Sequence, residues 1–231
     1  MKFKDKLIHG TLIKRYKRFF VDINYKKKIL TGHCPNTGSM LGLLKTGNKV
    51  WFSKNNNPKR KLKYTLEMIE INKKLVGINT HLTNKIVLEA LQKKKIKELL
   101  KYNNIKTEVP YSNNTRFDFQ LSNKYEKCFL EVKNVTLSRK SSLAEFPDAI
   151  TSRGTKHLNE LINAKKNGYK SFLLFLVQRE GCDSFKIAED IDRDYKLAFN
   201  KALKSGVNIL CYDCKLNNIE IKLFKKINHD K

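Results

Sequence analysis

From residue 11 to about 80, apolar and polar positions alternate in short runs. TLIKRYKRFFVDI, KKILTGHC, KVWFSK and KYTLEMIEI are rich in β-branched and aromatic residues, and NTGS, KTGN and NNNPK supply turn chemistry between them. The pattern predicts about five strands and an OB-like barrel in residues 1–80. Within it, Trp51 and Phe52 read as core. Near Gly77 the period changes. In KIVLEALQKKKIKELL, Val87, Leu88, Leu91, Ile96, Leu99 and Leu100 keep helical spacing with Lys on the other face, and Thr83 or Asn84 can cap the start.

Two strands follow, TRFDFQL and CFLEVKNV. Pro147 and Asp148 then make a loop, and Leu158, Leu161 and Ile162 mark a helix that Gly168 can end. SFLLFLVQR suits a central strand covered on both faces, with Gln178 and Arg179 emerging at a sheet edge. A helix in IDRDYKLAFNKALKSG and a strand in VNILCYDC complete a mixed α/β domain over residues 81–231, with the order α, β, β, β, α, β, α, β.

The strand pair carries the candidate chemistry. Strand side chains alternate, so Arg116, Asp118 and Gln120 should share one face, and Phe117, Phe119 and Leu121 the other. Glu131 and Lys133 lie side by side, with Val132 pointing away. Pairing Asp118 opposite Glu131 centres the turn between Lys124 and Tyr125, inside the polar SNKYEK. Two carboxylates roughly 5 Å apart beside an ammonium are either a cross-strand ion pair or a site for Mg²⁺ or Mn²⁺ that polarises a phosphodiester. In the second case Lys133 offsets charge in the transition state. Glu89, an acid within the apolar part of the helix pattern, is either exposed or reaches back to the metal pair.

Charge narrows the partner. Lys and Arg number 48 against 22 acids, a net charge of +26, which points to a polyanion. The 40 Lys, 8 Arg and abundant Asn reflect a compositional bias, but exchanging Arg for Lys leaves net charge unchanged. DNA, single- or double-stranded, is the leading partner, with RNA as the second candidate. An acidic membrane surface is disfavoured, because no amphipathic basic helix stands out. Arg15, Tyr16, Lys17 and Arg18 interleave cations with an aromatic ring, as single-strand binding surfaces do. Asn36, in the tight turn of HCPNTGSM, sits where exposed amides could hold an anion. Arg153, Lys156 and His157 begin a helix whose dipole favours phosphate, and Arg116 shares the face of Asp118. No P-loop is present.

No long apolar run or signal-peptide core is present, so a soluble cytoplasmic protein is expected. Five Cys argue against a disulfide framework. Cys211 and Cys214 form a CxxC without a second pair or nearby His, and read as buried thiols.

HCPNTGSM, GINT, VPYSNNTRFDF, FLEVKNVTL and FPDAITSRGTKHLNEL, in that order over nearly the whole chain, resemble the sugar fermentation stimulation protein A (SfsA) family. The resemblance implies an N-terminal OB-like β-barrel followed by a PD-(D/E)xK nuclease-like α/β core, and DNA binding. It further implies metal ligands at Asp118, Glu131 and Glu89, and catalytic roles for Asp118, Glu131 and Lys133. The literal Pro-Asp is replaced, since Phe117 precedes Asp118. Two functions follow as expectations: a metal-dependent nuclease, or a non-catalytic, largely non-specific DNA-binding regulator of sugar (maltose) metabolism. A chain contacting about six phosphates should bind duplex DNA with a log–log salt slope near −5. Fluorescence anisotropy at several salt concentrations measures it, and a slope near zero removes nucleic acid as the partner.

Overall fold

The structure, a computed structural model, describes residues 1–112 and 115–229. The middle of VPYSNNTRFDF thus lies outside the described residues.

The alternating first third forms β1 (Ile8–Tyr16), β2 (Phe20–Tyr25), β3 (Lys28–His33), β4 (Lys49–Lys54), β5 (Tyr64–Ile71) and β6 (Lys74–Gly77). Strands β1 to β5 run in the order β3-β2-β1-β4-β5, and β3 meets β5 in parallel at His33 and Thr65 to close a five-stranded barrel. The predicted OB-like barrel is what forms, and β6 pairs onto β5 as an added strand. TLIKRYKRFFVDI is two strands, because Lys17 (φ 47°) and Arg18 (φ 61°) make a left-handed two-residue turn within it. Leu12, Val21, Ile23, Val50, Phe52, Leu66 and Ile69 fill the barrel. Phe52 is core as expected, but its neighbour Trp51 points out and is only half-buried.

Helix α1 (Thr83–Gln92) is shorter than its periodicity predicts. It ends in a Schellman motif: Lys95 N–H donates to Ala90 O (2.9 Å) and Lys94 N–H to Leu91 O (3.0 Å). Glycine normally takes the left-handed position, but Lys94 holds it here (φ 52°). Its ammonium reaches Tyr102 O (2.7 Å), Leu100 O and Asn103 Oδ1 (both 3.2 Å). A Lys within a Lys run gives no stop signal. Ile96 and Leu99 still reach the core from the connection that follows.

The remaining elements are β7 (Asn104–Ser112), β8 (Thr115–Ser122), β9 (Lys127–Val135), β10 (Leu137–Lys140), β11 (Ser142–Phe146), α2 (Ser152–Lys166), β12 (Lys170–Val177), β13 (Cys182–Ile187), α3 (Arg193–Lys204), β14 (Asn208–Leu216), β15 (Ile221–Lys226) and β16 (Asn228–His229). A mixed sheet runs β15-β14-β12-β9-β8-β7. Its centre is β12, parallel to both β9 and β14, which explains its unbroken apolar run. α1 packs on one face over Leu130, Val132, Leu174 and Leu210, while α2 and α3 cover Phe129, Leu173, Phe175 and Ile209 on the other. Helix α2 ends at Gly168 (φ 85°) as predicted.

A smaller sheet, β10-β11-β13-β16, was not legible in the sequence. Cys211 and Cys214 belong to opposite cores and, like the other Cys, are buried free thiols. No helix among the described residues is long and apolar enough to cross a membrane.

Gln178 does not emerge at an edge; it is fully buried. The stretch after β12 pairs with β6 of the barrel, through Gly77 N–H to Gln178 O (2.7 Å) and Glu180 N–H to Leu75 O (3.0 Å). A Cβ on Gly77 would stand 2.8 Å from Gln178 Oε1 and 3.2 Å from Gln178 Cβ. Gln178 cannot readily yield, because its Nε2 donates to Thr83 Oγ1 (3.1 Å) and Asn134 Oδ1 (2.6 Å). Gly77→Ala should therefore lower the urea-unfolding free energy by about 1–3 kcal/mol; an unchanged midpoint would show that the seam has slack.

Candidate active site

β8 and β9 form an antiparallel hairpin whose register runs from Ser122↔Lys127 to Phe119↔Leu130. Carried one step further, that register sets Asp118 opposite Glu131, as the sequence predicts. There the strands part. The Val132 N–H donates to Asp118 Oδ2 (2.8 Å), so the carboxylate takes the place of a ladder partner. Across β7, Glu108 adopts φ 51°. The predicted sharing of one face by Phe117, Phe119 and Leu121 fails at this break: Phe117 joins the core under α2, whereas Phe119 and Leu121 join the one under α1. Nor is the hairpin polar on one side, since helices cover both faces.

Asp118 Oδ1 accepts from Asn84 Nδ2 (2.7 Å) in the first turn of α1, where the helix dipole also favours an anion. Thus Asn84 does not cap the helix; it binds the candidate site. Thr83 does not cap it either, its hydroxyl accepting from Gln178. Burial first, and then the Glu131 charge, push Asp118 up to about 6, against the pull of Val132 N–H, Asn84 and Lys133.

Glu131 is buried, 3% exposed, on the face toward α2. Burial would raise its pKa, but Lys133 and His157 outweigh that and hold it below the usual carboxylate value. Its Oε1 accepts from Lys133 Nζ (2.7 Å) and contacts His157 Nδ1. A carboxylate only accepts, so Nδ1 carries the His157 proton. Nε2 then accepts from Arg153 Nε at 3.4 Å. Glu131 Oε2 is buried and without a hydrogen-bond partner among the described residues.

The expected nucleic-acid residues divide into two groups. Arg116, Arg153, Lys156 and His157 line one cleft of about 660 Å³, with Thr115 and Ser152. His157, however, is itself buried and bound to Glu131, so it belongs to the acid cluster as much as to the cleft. Arg15, Tyr16, Lys17 and Arg18 sit instead at the β1–β2 hairpin. Tyr16 stacks on Phe20 (5.4 Å), and Arg15 donates to Asn36 O (2.6 Å) and Arg18 O (3.1 Å). Asn36 is buried and its turn offers no open nest, because its Oδ1 takes Gly38 N–H (2.9 Å) and Asp148 Oδ2 takes Met40 N–H (3.0 Å). The anion held by that turn is the protein's own Asp148.

Glu89 is not brought to the acid pair. Its oxygens bind the Met1 ammonium (2.7 Å) and Lys93, and it lines a cavity with Leu223 and Phe224. The α1 residue that reaches Asp118 is Asn84, five positions earlier.

Among the described residues, no group of three or more His, Cys, Asp or Glu forms a ready cage for a metal. Mg²⁺ needs none, since it is commonly held by one or two carboxylates, with water and phosphate supplying the rest. Asp118 and Glu131 fit that donor set, and the orphaned Oε2 is an oxygen that such an ion would satisfy.

The descriptions "Sugar fermentation stimulation protein RE domain" and "SfsA N-terminal OB domain" match residues 81–220 and 13–78. A sugar fermentation stimulation protein homolog of Pelagibacter ubique is 58% identical over 227 residues, 98% of each chain. One of Maricaulis maris is 44% identical over 219 residues, 94% of this chain and 93% of its own. A solved structure, Pyrococcus furiosus SfsA in complex with Ca²⁺, superposes with a TM-score of 0.90 at 23% identity, covering 100% of this chain and 98% of that one.

Because its pKa is raised by folding, Asp118 binds its proton more tightly in the folded state than in the unfolded chain. Its contribution to stability is present below pH ~4 and is lost as the pH rises through about 6. Asp118→Asn has no charge to desolvate. In chelator at pH 8 it should be more stable than the parent by about 1–3 kcal/mol, the gap closing toward pH 4. Urea unfolding across that range measures it, and a gap independent of pH would reject the assignment.

Proposed function

The chain belongs to the sugar fermentation stimulation protein family, and on that premise we propose that it binds nucleic acid and hydrolyses phosphodiester bonds at Asp118, Glu131 and Lys133. The observation that carries this reading is the buried, unpartnered Glu131 Oε2 beside Asp118, next to a cleft lined by Arg116, Arg153 and Lys156. The solved relative complexed with Ca²⁺ supports the metal half of the reading.

Asp118 and Glu131 would hold Mg²⁺ or Mn²⁺, which when bound lowers the pKa of a water and polarises the phosphate. The remaining work falls to side chains of this chain. Arg116, Arg153 and Lys156 attract and orient the phosphodiester backbone, the task of phosphate contacts generally. Lys133, its side chain 12% exposed and tied to Glu131, presents a fixed cation to the charge that develops on phosphorus. His157 shares Oε1 with Lys133 and so keeps the second Glu131 oxygen for the ion. Asn84 and Val132 N–H orient Asp118.

Labelled single-stranded, duplex and branched DNA, and RNA, incubated with and without Mn²⁺, test the reading directly. Lys133→Ala should lower the cleavage rate by about 10²–10³, per folded molecule, with little loss of DNA affinity. Mn²⁺ or Ca²⁺ should raise the melting temperature of the parent and not that of Asp118→Asn. Cleavage by Lys133→Ala at the parent rate would remove its role. A parent that binds these substrates but cuts none with any divalent ion would leave a binding protein.

A further inference from the structure

Trp51 is the sole tryptophan of the chain. It lies on β4 opposite His9 of β1, and the two rings meet edge to face with centroids 5.2 Å apart. Its Nε1 has no acceptor among the described residues, and Lys49 Nζ stands 4.7 Å from the ring centroid. At the end of β2, Tyr25 carries Lys26 Nζ 5.4 Å from its ring. Trp51, His9 and Tyr25 line a cleft of about 730 Å³ on the outside of the barrel, with Lys6, Lys26 and Lys27 in its walls. Asn218, from the β14–β15 turn, completes it, and no carboxylate is among the described lining residues.

The basic turn is costly. Lys26 (φ 50°) and Lys27 (φ 61°) occupy both left-handed positions of the β2–β3 hairpin, where Asn or Gly is preferred. The chain uses Asn freely elsewhere, so its composition does not force Lys here. Aromatic rings, cations and the absence of acid together suit a ligand that is flat, apolar on its faces and anionic at one end.

We propose that this cleft takes an unpaired nucleotide of a single strand, its base among Trp51, His9 and Tyr25 and its phosphate at Lys6, Lys26 and Lys27. A duplex keeps its base faces stacked and cannot use such a site, whereas any unpaired base can. The inference rests on the nucleic-acid half of the reading above and is independent of hydrolysis. It also moves single-strand recognition from the Arg15–Arg18 hairpin to the seam between barrel and C-terminal domain.

Because Trp51 is unique, its emission reports this cleft in the unmodified protein. Titration in chelator with oligo(dT) and oligo(U) should quench it saturably, while blunt duplex DNA and inorganic polyphosphate at equal charge should not. His9→Ala with Tyr25→Ala should weaken oligo(dT) binding roughly 5- to 150-fold, the span expected for lost base stacking, and leave duplex affinity unchanged. Lys26→Glu with Lys27→Glu should also weaken it. Oligo(dT) that binds by anisotropy without changing Trp51 emission, or polyphosphate that quenches equally, overturns the proposal. Failure of every nucleic acid to bind overturns it together with the broader reading, whereas quenching without cleavage leaves this site standing and removes only hydrolysis.

Discussion

A carboxylate buried in the middle of a sheet must be paid for, and Glu131 is the residue around which the C-terminal domain is arranged. An unpaired buried charge would cost several kcal/mol. Lys133 from the same strand and His157 from α2 meet that demand on a single oxygen. The requirement ties β9 to α2. The second oxygen is left without a partner, although the group is 3% exposed. Natural interiors rarely leave such an atom unsatisfied, so Oε2 marks a place kept for something else.

Asp118 depends on the same arrangement from the other strand. It stands where β8 and β9 part, and its oxygens take the Val132 N–H and Asn84 that the opening exposes. Splitting the hairpin sends Phe117 and Phe119 to opposite cores, so each side of the break is anchored by an aromatic ring. Tension between the two acids falls on Asp118, the one without a directly bonded cation. Its raised pKa and the lowered one of Glu131 are the outcome.

The barrel is not a loosely tethered module. β6 pairs with the stretch that follows the central strand, and Gln178 in that stretch also binds Thr83 of α1 and Asn134 of β9. A second clasp joins Ser39 and Met40 to Asp148, just before α2. Both clasps end near elements that build the acid site, so the barrel's position and the site's geometry are coupled through short polar contacts.

The sequence by itself determined whatever is local or periodic. Five barrel strands followed from alternation and turn residues, and the family from five ordered motifs. The Asp118–Glu131 register followed because the polar loop admits one centre and strand geometry then leaves no freedom. Tertiary structure alone decided the rest. Lys94 ends α1 in a conformation that glycine usually signals, so no residue code announced the stop. Glu89 looked like a ligand because an acid interrupts an apolar pattern, but its direction is set by Met1, distant in sequence, and Asn84 reaches the site instead. Asn36 sits in a turn whose amides proved to be taken by Asp148, a contact across 100 residues of chain. Trp51 read as core because hydrophobicity says that a ring prefers burial, not which side of a barrel wall it occupies. Each of these outcomes depends on pairing between distant segments, and periodicity carries no information about which segments will meet.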